Sequence, residues 1–199
     1  VEQTLRIDAP EGFATVESFL EALSERLSAL HRTRVAPSNQ TVRGGTQTFG
    51  RLFLHDDPLI GALARAVGAC VDTYVQDLPQ DPEHPLLRRR AQRWRFAGSW
   101  SVRLTSGGYH VDHVHPAGWL SSAFYVHVPQ TLGRDAGDPA GWLRFGVSNL
   151  GLGDRERPAR LVRPEAGCLT LFPSYCWHGT VPFEGDTPRI TAPFDVVPA

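Results

Sequence analysis

Residues Gly107–Val128 read GGYHVDHVHPAGWLSSAFYVHV. Four potential metal ligands, His110, Asp112, His113 and His115, fall within six residues of a chain that holds eight histidines. An apolar run from Trp119 to Val128 follows at once and reads as a strand. Alternate residues of an extended segment project to one side. Two pairs are therefore interleaved here: His110 with Asp112, and His113 with His115. Either pair could give two ligands to one ion. Imidazole and carboxylate donors suit Fe(II) and Zn(II) alike, so donor type leaves the metal open.

Two downstream pieces complete the pattern. FPSYCWHGT places His178 after an apolar strand. A third protein ligand from there would make a facial set and leave positions open on the metal, which non-heme Fe(II) oxygenation requires. The alternative is a core histidine bonded to backbone. Arg189 opens RITAPFDVV, which reads as one strand, with Thr191 on the same face. An arginine forks two hydrogen bonds onto a carboxylate, and a hydroxyl at spacing two can add a third. The alternative for Arg189 is a surface residue paired with Asp186 or Glu184.

The rest of the chain frames these pieces. Its 199 residues fit one domain, and 41% are apolar. The net charge is -1, and nothing global attracts nucleic acid or membrane. All basic residues are arginine, so any anion clamp must be Arg. The cluster Arg88, Arg89, Arg90, Arg93 and Arg95 reads as a solvated face or a carboxylate-pairing group. Cys70, Cys168 and Cys176 are odd in number and lack CxxC spacing, which predicts a reducing, cytoplasmic setting. The absent initiator Met suggests a processed terminus or a boundary within a longer chain. Oligomeric state is not legible.

Residues 1–8 alternate weakly and predict an edge strand. Val16, Phe19, Leu20, Leu23, Leu27 and Leu30 share one helical face, with Thr15 as N-cap. Residues 33–50, with Pro37, Ser38, Asn39 and Gly44-Gly45, read as a loop. Asp57 and Pro58 start a second helix that runs to about Gln76, and His55 beside them belongs to that capping. DLPQDPEHP, residues 77–85, breaks the chain into a helical front and a β-rich remainder. Strand-like segments follow around Trp94–Leu104, Trp142–Val147 and Cys168–Phe172. The expectation is an α+β, mainly β fold. It consists of a jelly-roll core over 86–199 with the N-terminal helices of 1–85 packed on one face, all within one domain.

The segments HVHPAGWLSSAFYV, GWLRFG, LFPSYCWHGTVPF and RITAPFDVVP, with a weaker echo in NQTVRGGTQT, resemble a bacterial and phage group of 2-oxoglutarate–Fe(II) oxygenases. The resemblance covers roughly residues 95–198 and implies a cupin-like double-stranded β-helix. It implies Fe(II) as cofactor, 2-oxoglutarate and O2 as cosubstrates, and hydroxylation of a C–H bond with release of succinate and CO2. The substrate would be a small molecule or a peptidyl side chain. In prolyl-hydroxylase-type enzymes Gly-Gly, four residues and then His-x-Asp carry two ligands. Here that register puts His113 at the histidine and His115 at the aspartate. The resemblance thus favours His113, His115 and His178 as ligands and leaves His110 with Asp112 as the other frame. It assigns Arg189 and Thr191 to the cosubstrate's far carboxylate, with Tyr109 or His110 nearby. Asp112, Trp119, Tyr125 and Trp177 are candidates for the substrate pocket. Two rival readings stay open: a Zn or Mn cupin-like hydrolase or isomerase whose arginine binds substrate, and a non-catalytic binding module.

Overall fold

A computed structural model describes residues 1–33, 40–133, 135 and 137–199. In chain order the elements are β1 (Gln3–Arg6), α1 (Val16–Leu30), β2 (Val42–Gln47), α2 (Pro58–Asp77), β3 (Trp94–Ser99), β4 (Val102–His110), β5 (Leu120–His127), β6 (Leu143–Phe145), β7 (Arg160–Val162), β8 (Cys168–Pro173), β9 (His178–Thr180), β10 (Arg189–Thr191) and β11 (Phe194–Pro198).

All the strand pairs are antiparallel. The large sheet runs β1-β8-β5-β10-β4-β2, and β11 branches from β5 to carry β3. A small sheet, β7-β6-β9, faces it. This is the expected double-stranded β-helix. β5 is buried almost throughout. Leu120, Phe124 and Val126 join the helix-side core, while Ala123 and Tyr125 meet Leu143, Phe145, Val162 and Phe172 between the sheets. A strand covered on both faces loses the polar half of its alternation.

Both helices form where the pattern predicts. Thr15 and Ser18 make a reciprocal capping box, and Phe19, Leu20, Leu23 and Leu27 bury the apolar stripe of α1. The Asp57 carboxylate accepts from the Leu59 and Ile60 amides, Pro58 stands at the first helical position, and Arg26 of α1 bonds the same carboxylate. By length and composition α2 could cross a membrane, but it sends Ile60, Leu63, Val67 and Val71 into the core of this domain. In the arginine cluster Arg88, Arg93 and Arg95 are exposed, and two members bond backbone. Arg90 donates to the Val75 and Gln76 carbonyls at the C-terminal end of α2, and Arg89 donates to the Gly118 carbonyl.

Three expectations need correction. Residues 42–47 are a strand, β2, paired with β4. The Gly pair that reads as loop is there because the strands nearly touch. Gly44 bulges at φ +62°, and a Cβ on Gly45 would stand 2.4 Å from the Arg103 carbonyl oxygen. Pro37, Ser38 and Asn39 of the same predicted loop lie outside the described residues. Second, the front part is not helical alone: the edge strand expected over residues 1–8 forms as β1 and pairs with β8, and β2 joins β4. Third, RITAPFDVV is two strands. β10 pairs with β4 and β5, the chain breaks at Ala192-Pro193, and β11 goes on to pair with β3 and β5. Pro193 has no N–H to give a ladder, so the ladder changes partners there.

Candidate metal and cosubstrate site

His113 and His178 are locked side by side through the backbone. Each amide donates to the other's carbonyl, at 2.9 and 3.0 Å, which joins the histidine loop to the first residue of β9. His115 is fixed next to them by its amide bond to the Ser174 carbonyl, at 2.8 Å. The chain turns sharply after it, and a Cβ on Gly118 would fall 2.3 Å from the Ser174 hydroxyl oxygen. Only glycine fits that approach. One nitrogen from each of His113, His115 and His178 lies within 4.8 Å of the other two.

The hydrogen bonds decide which nitrogen that is. His113 Nδ1 is 2.7 Å from the Val111 carbonyl oxygen, and His178 Nδ1 is 3.0 Å from that of Cys176. His115 Nδ1 is 2.7 Å from a carboxylate oxygen of Asp195. Each partner can only accept, so each Nδ1 carries a hydrogen, and the lone pair of a neutral ring is then at Nε2. Burial pushes the pKa of His178 well below the imidazole range, and neighbouring His113 adds to it. Burial also lowers that of His113, against the bond to Val111. Neutral rings with convergent Nε2 atoms and oriented Nδ1 donors are what a metal ion requires, so the residues fit Fe(II).

Asp112 is placed elsewhere. Its carboxylate is 3% exposed and takes both arms of Arg144 from β6, with Arg144 Nε at 2.9 Å from Oδ1. Gly179 makes room, because a Cβ there would stand 2.6 Å from that oxygen. His110 turns away from Asp112. Its Nδ1 is 3.0 Å from Thr41 Oγ1, its ring stacks at 5.9 Å on His113, and burial drops its pKa to about 3. The His110–Asp112 frame is therefore not brought together.

Beside the triad is a narrow cavity lined by Trp100, His110, the three histidines, Leu143, Phe172, Thr180, Arg189 and Thr191, among others. Arg189 is 2% exposed. Its Nε has no hydrogen-bond partner, and it makes no ion pair among the described residues. Neither Asp186 nor Glu184 reaches it, and Glu184 bonds Ser106 instead. Burial lowers the guanidinium pKa, and Tyr125 opposes the shift. A buried cation without a counter-ion is costly, and the carboxylate of a ligand would relieve it. On the other side of His113 and His115 an open groove begins, lined by Gln40, Thr41, Gln47, Gly98, Trp100 and Ala117, among others. A larger cavity, about 390 Å³, lies between the N-terminal segment and α2 and holds none of the histidines.

The remaining predicted pocket residues are spread out. Trp119 is core: its ring is 1% exposed and its indole donates to the Leu86 carbonyl. Tyr125 stands under Arg189 with its hydroxyl unpartnered, whereas Tyr109 and Trp177 do not line the cavity. The Cys176 thiol stays protonated, since burial raises its pKa, and only its carbonyl serves His178. Sequence reading missed Asp195, Ser121, Ser174, Thr41 and Arg144. A lone acid between Phe194 and Val196 is a signal that could have exposed Asp195.

Residues 98–195 match the model of the family described as "Putative 2OG-Fe(II) oxygenase". That segment, 98 of the 199 residues, is similar to the 2-oxoglutarate–Fe(II) oxygenases. Among solved structures, a prolyl-4-hydroxylase from Pseudomonas putida is similar, with TM-score 0.60 and 16% identity, over 98% of this chain and 91% of that one. The viral collagen prolyl hydroxylase of Paramecium Bursaria Chlorella virus-1, in its 2OG complex, gives TM-score 0.58 and 12% identity over 100% and 96%. The non-heme alpha-ketoglutarate-dependent epimerase SnoN from nogalamycin biosynthesis gives 0.62 and 12% over 98% and 76%. At such identities the likeness concerns the fold. A search of curated protein sequences finds no match.

Proposed function

We propose that this oxygenase is a hydroxylase whose Fe(II) is held by His113, His115 and His178 through Nε2, with 2-oxoglutarate anchored by Arg189 and Thr191. One observation carries the reading: three oriented imidazole lone pairs converge in the same cavity as a buried arginine that lacks an anion. Fe(II) with 2-oxoglutarate and O2 supplies the oxidising power to turn a C–H into a C–OH, with release of succinate and CO2.

The chain's own part is binding, orientation and dryness. Nδ1–H bonds to Val111, Asp195 and Cys176 fix the three rings before any metal arrives. Arg189 and Thr191 share one face of β10 and line the cavity that the three histidines also line, so a dicarboxylate held by them would extend toward the histidines. Phe172 and Leu143 line the same space with apolar surface and limit water. The groove past Trp100 is open on the other side of His113 and His115, where a substrate C–H would be presented. We propose a small molecule or a peptidyl side chain as substrate. The reducing, cytoplasmic setting rests on the cysteine pattern alone.

Incubation of purified protein with Fe(II), ascorbate and 2-oxoglutarate in air tests the reading. Succinate should form slowly without substrate and not at all in His178→Ala. Absence of succinate from the wild-type protein across a panel of hydroxylatable compounds would sink it.

A further inference from the structure

The triad contains no carboxylate, yet a carboxylate is built against it. Asp195 faces His115 with both oxygens, at 2.7 and 2.8 Å from Nδ1. Its side chain is 16% exposed and has no arginine partner among the described residues. Ser121 Oγ lies 2.6 Å from Asp195 Oδ1 and 2.9 Å from Ser174 Oγ. Ser121 can donate to either oxygen, and the charged carboxylate is the stronger acceptor of its one hydrogen. Both serines are buried, and Ser174 also holds the backbone of His115 through its carbonyl. The break at Ala192-Pro193 is what delivers Asp195 here, because β11 starts a new pairing in which Asp195 sits opposite Ser121.

We infer that Asp195 is a positioning residue that supplies, one hydrogen bond outside the ligand sphere, the negative charge the three-histidine set lacks. The inference rests on the triad reading above. Through Nδ1–H it makes His115 a more electron-rich donor than its two partners, whose Nδ1 atoms face neutral carbonyls. The histidine set is thereby unequal, and His115 is its strongest donor.

Co(II) titration of the full chain under argon tests this, with Asp195→Asn, Asp195→Glu and Ser121→Ala alongside the wild type. Asp195→Asn, nearly isosteric and neutral, should bind Co(II) about 10–100-fold more weakly, and Asp195→Glu should recover much of the loss. In proton spectra of the Co(II) form, the exchangeable, paramagnetically shifted resonance of His115 Nδ1–H should move in Asp195→Asn while the other two stay in place. A purely structural Asp195 would move none or all of them. If Asp195→Asn does not fold, Ser121→Ala should show the same selective shift with about threefold weaker binding. Equal Co(II) affinity and an unmoved resonance in a folded variant overturn the inference alone. Failure of the wild type to bind Co(II) overturns the triad and the inference together.

Discussion

The Arg189 guanidinium lies over the Tyr125 ring, 5.1 Å from carbon to centroid, and among the described residues neither the arginine Nε nor the phenol oxygen has a hydrogen-bond partner. A buried cation resting on an aromatic face is held there without spending its Nε donor. That donor is left for a ligand. Arg189→Gln should therefore weaken 2-oxoglutarate binding to the metal-loaded protein by about a hundredfold. Its thermal stability should be equal or higher, since an uncompensated buried charge is removed. Calorimetric titration and a melting curve on the same samples check both parts.

Asp112 and Arg144 hold the histidine loop to the small sheet. Asp112→Ala strands a partly buried guanidinium and should cost about 2–3 kcal/mol in chemical denaturation, discounted because Arg144 is a quarter exposed. Its metal affinity, measured well below the unfolding midpoint, should match the wild type. A selective loss of metal would favour the His110–Asp112 frame instead.

Gly179 stands between a metal-ligand candidate and that ion pair. Gly179→Ala would drive a methyl toward Asp112 Oδ1 at 2.6 Å and the His110 carbonyl at 2.9 Å. Overpacking of this kind costs about 1–3 kcal/mol. The melting temperature should fall and Co(II) affinity with it, because the displaced loop carries His113.

His31 gives the fold an acid sensitivity separate from the metal site. It ends α1 and bonds Thr46 at 2.7 Å and Ser101 at 3.0 Å, and burial, helped by Arg103, lowers its pKa to about 4. A depressed pKa means the unfolded chain binds the proton more readily. The neutral ring's contribution is whole above the unfolded value of about 6.5 and declines as pH falls from there toward 4. Urea midpoints measured from pH 7 to 4 should drop less steeply in His31→Gln than in the wild type.

How much of this was legible depends on the range of the interaction involved. The helix caps at Thr15 and Asp57 and the apolar stripe of α1 are local and were readable residue by residue. So was the spacing that brings His113 and His115 to one side. β2 was not, because its Gly pair answers to the backbone of β4 far along the chain. The division of RITAPFDVV depends on which strands flank it, and only its proline hinted at the break. Asp112 looked like a ligand from spacing alone, but Arg144 claims it through tertiary contact. Asp195 was silent for the same reason, since its partner is 80 residues away in sequence.

The central claim is that His113, His115 and His178 hold Fe(II) beside an Arg189-anchored 2-oxoglutarate. Anaerobic titration of the protein with Fe(II) and 2-oxoglutarate, followed by visible absorption, tests it most directly. The account predicts a weak charge-transfer band that needs both components, persists in Asp112→Ala, weakens in Arg189→Ala and is lost in His115→Ala. No band in the wild type with tight binding of Zn(II) alone, or a band that survives His115→Ala and disappears in Asp112→Ala, would contradict it.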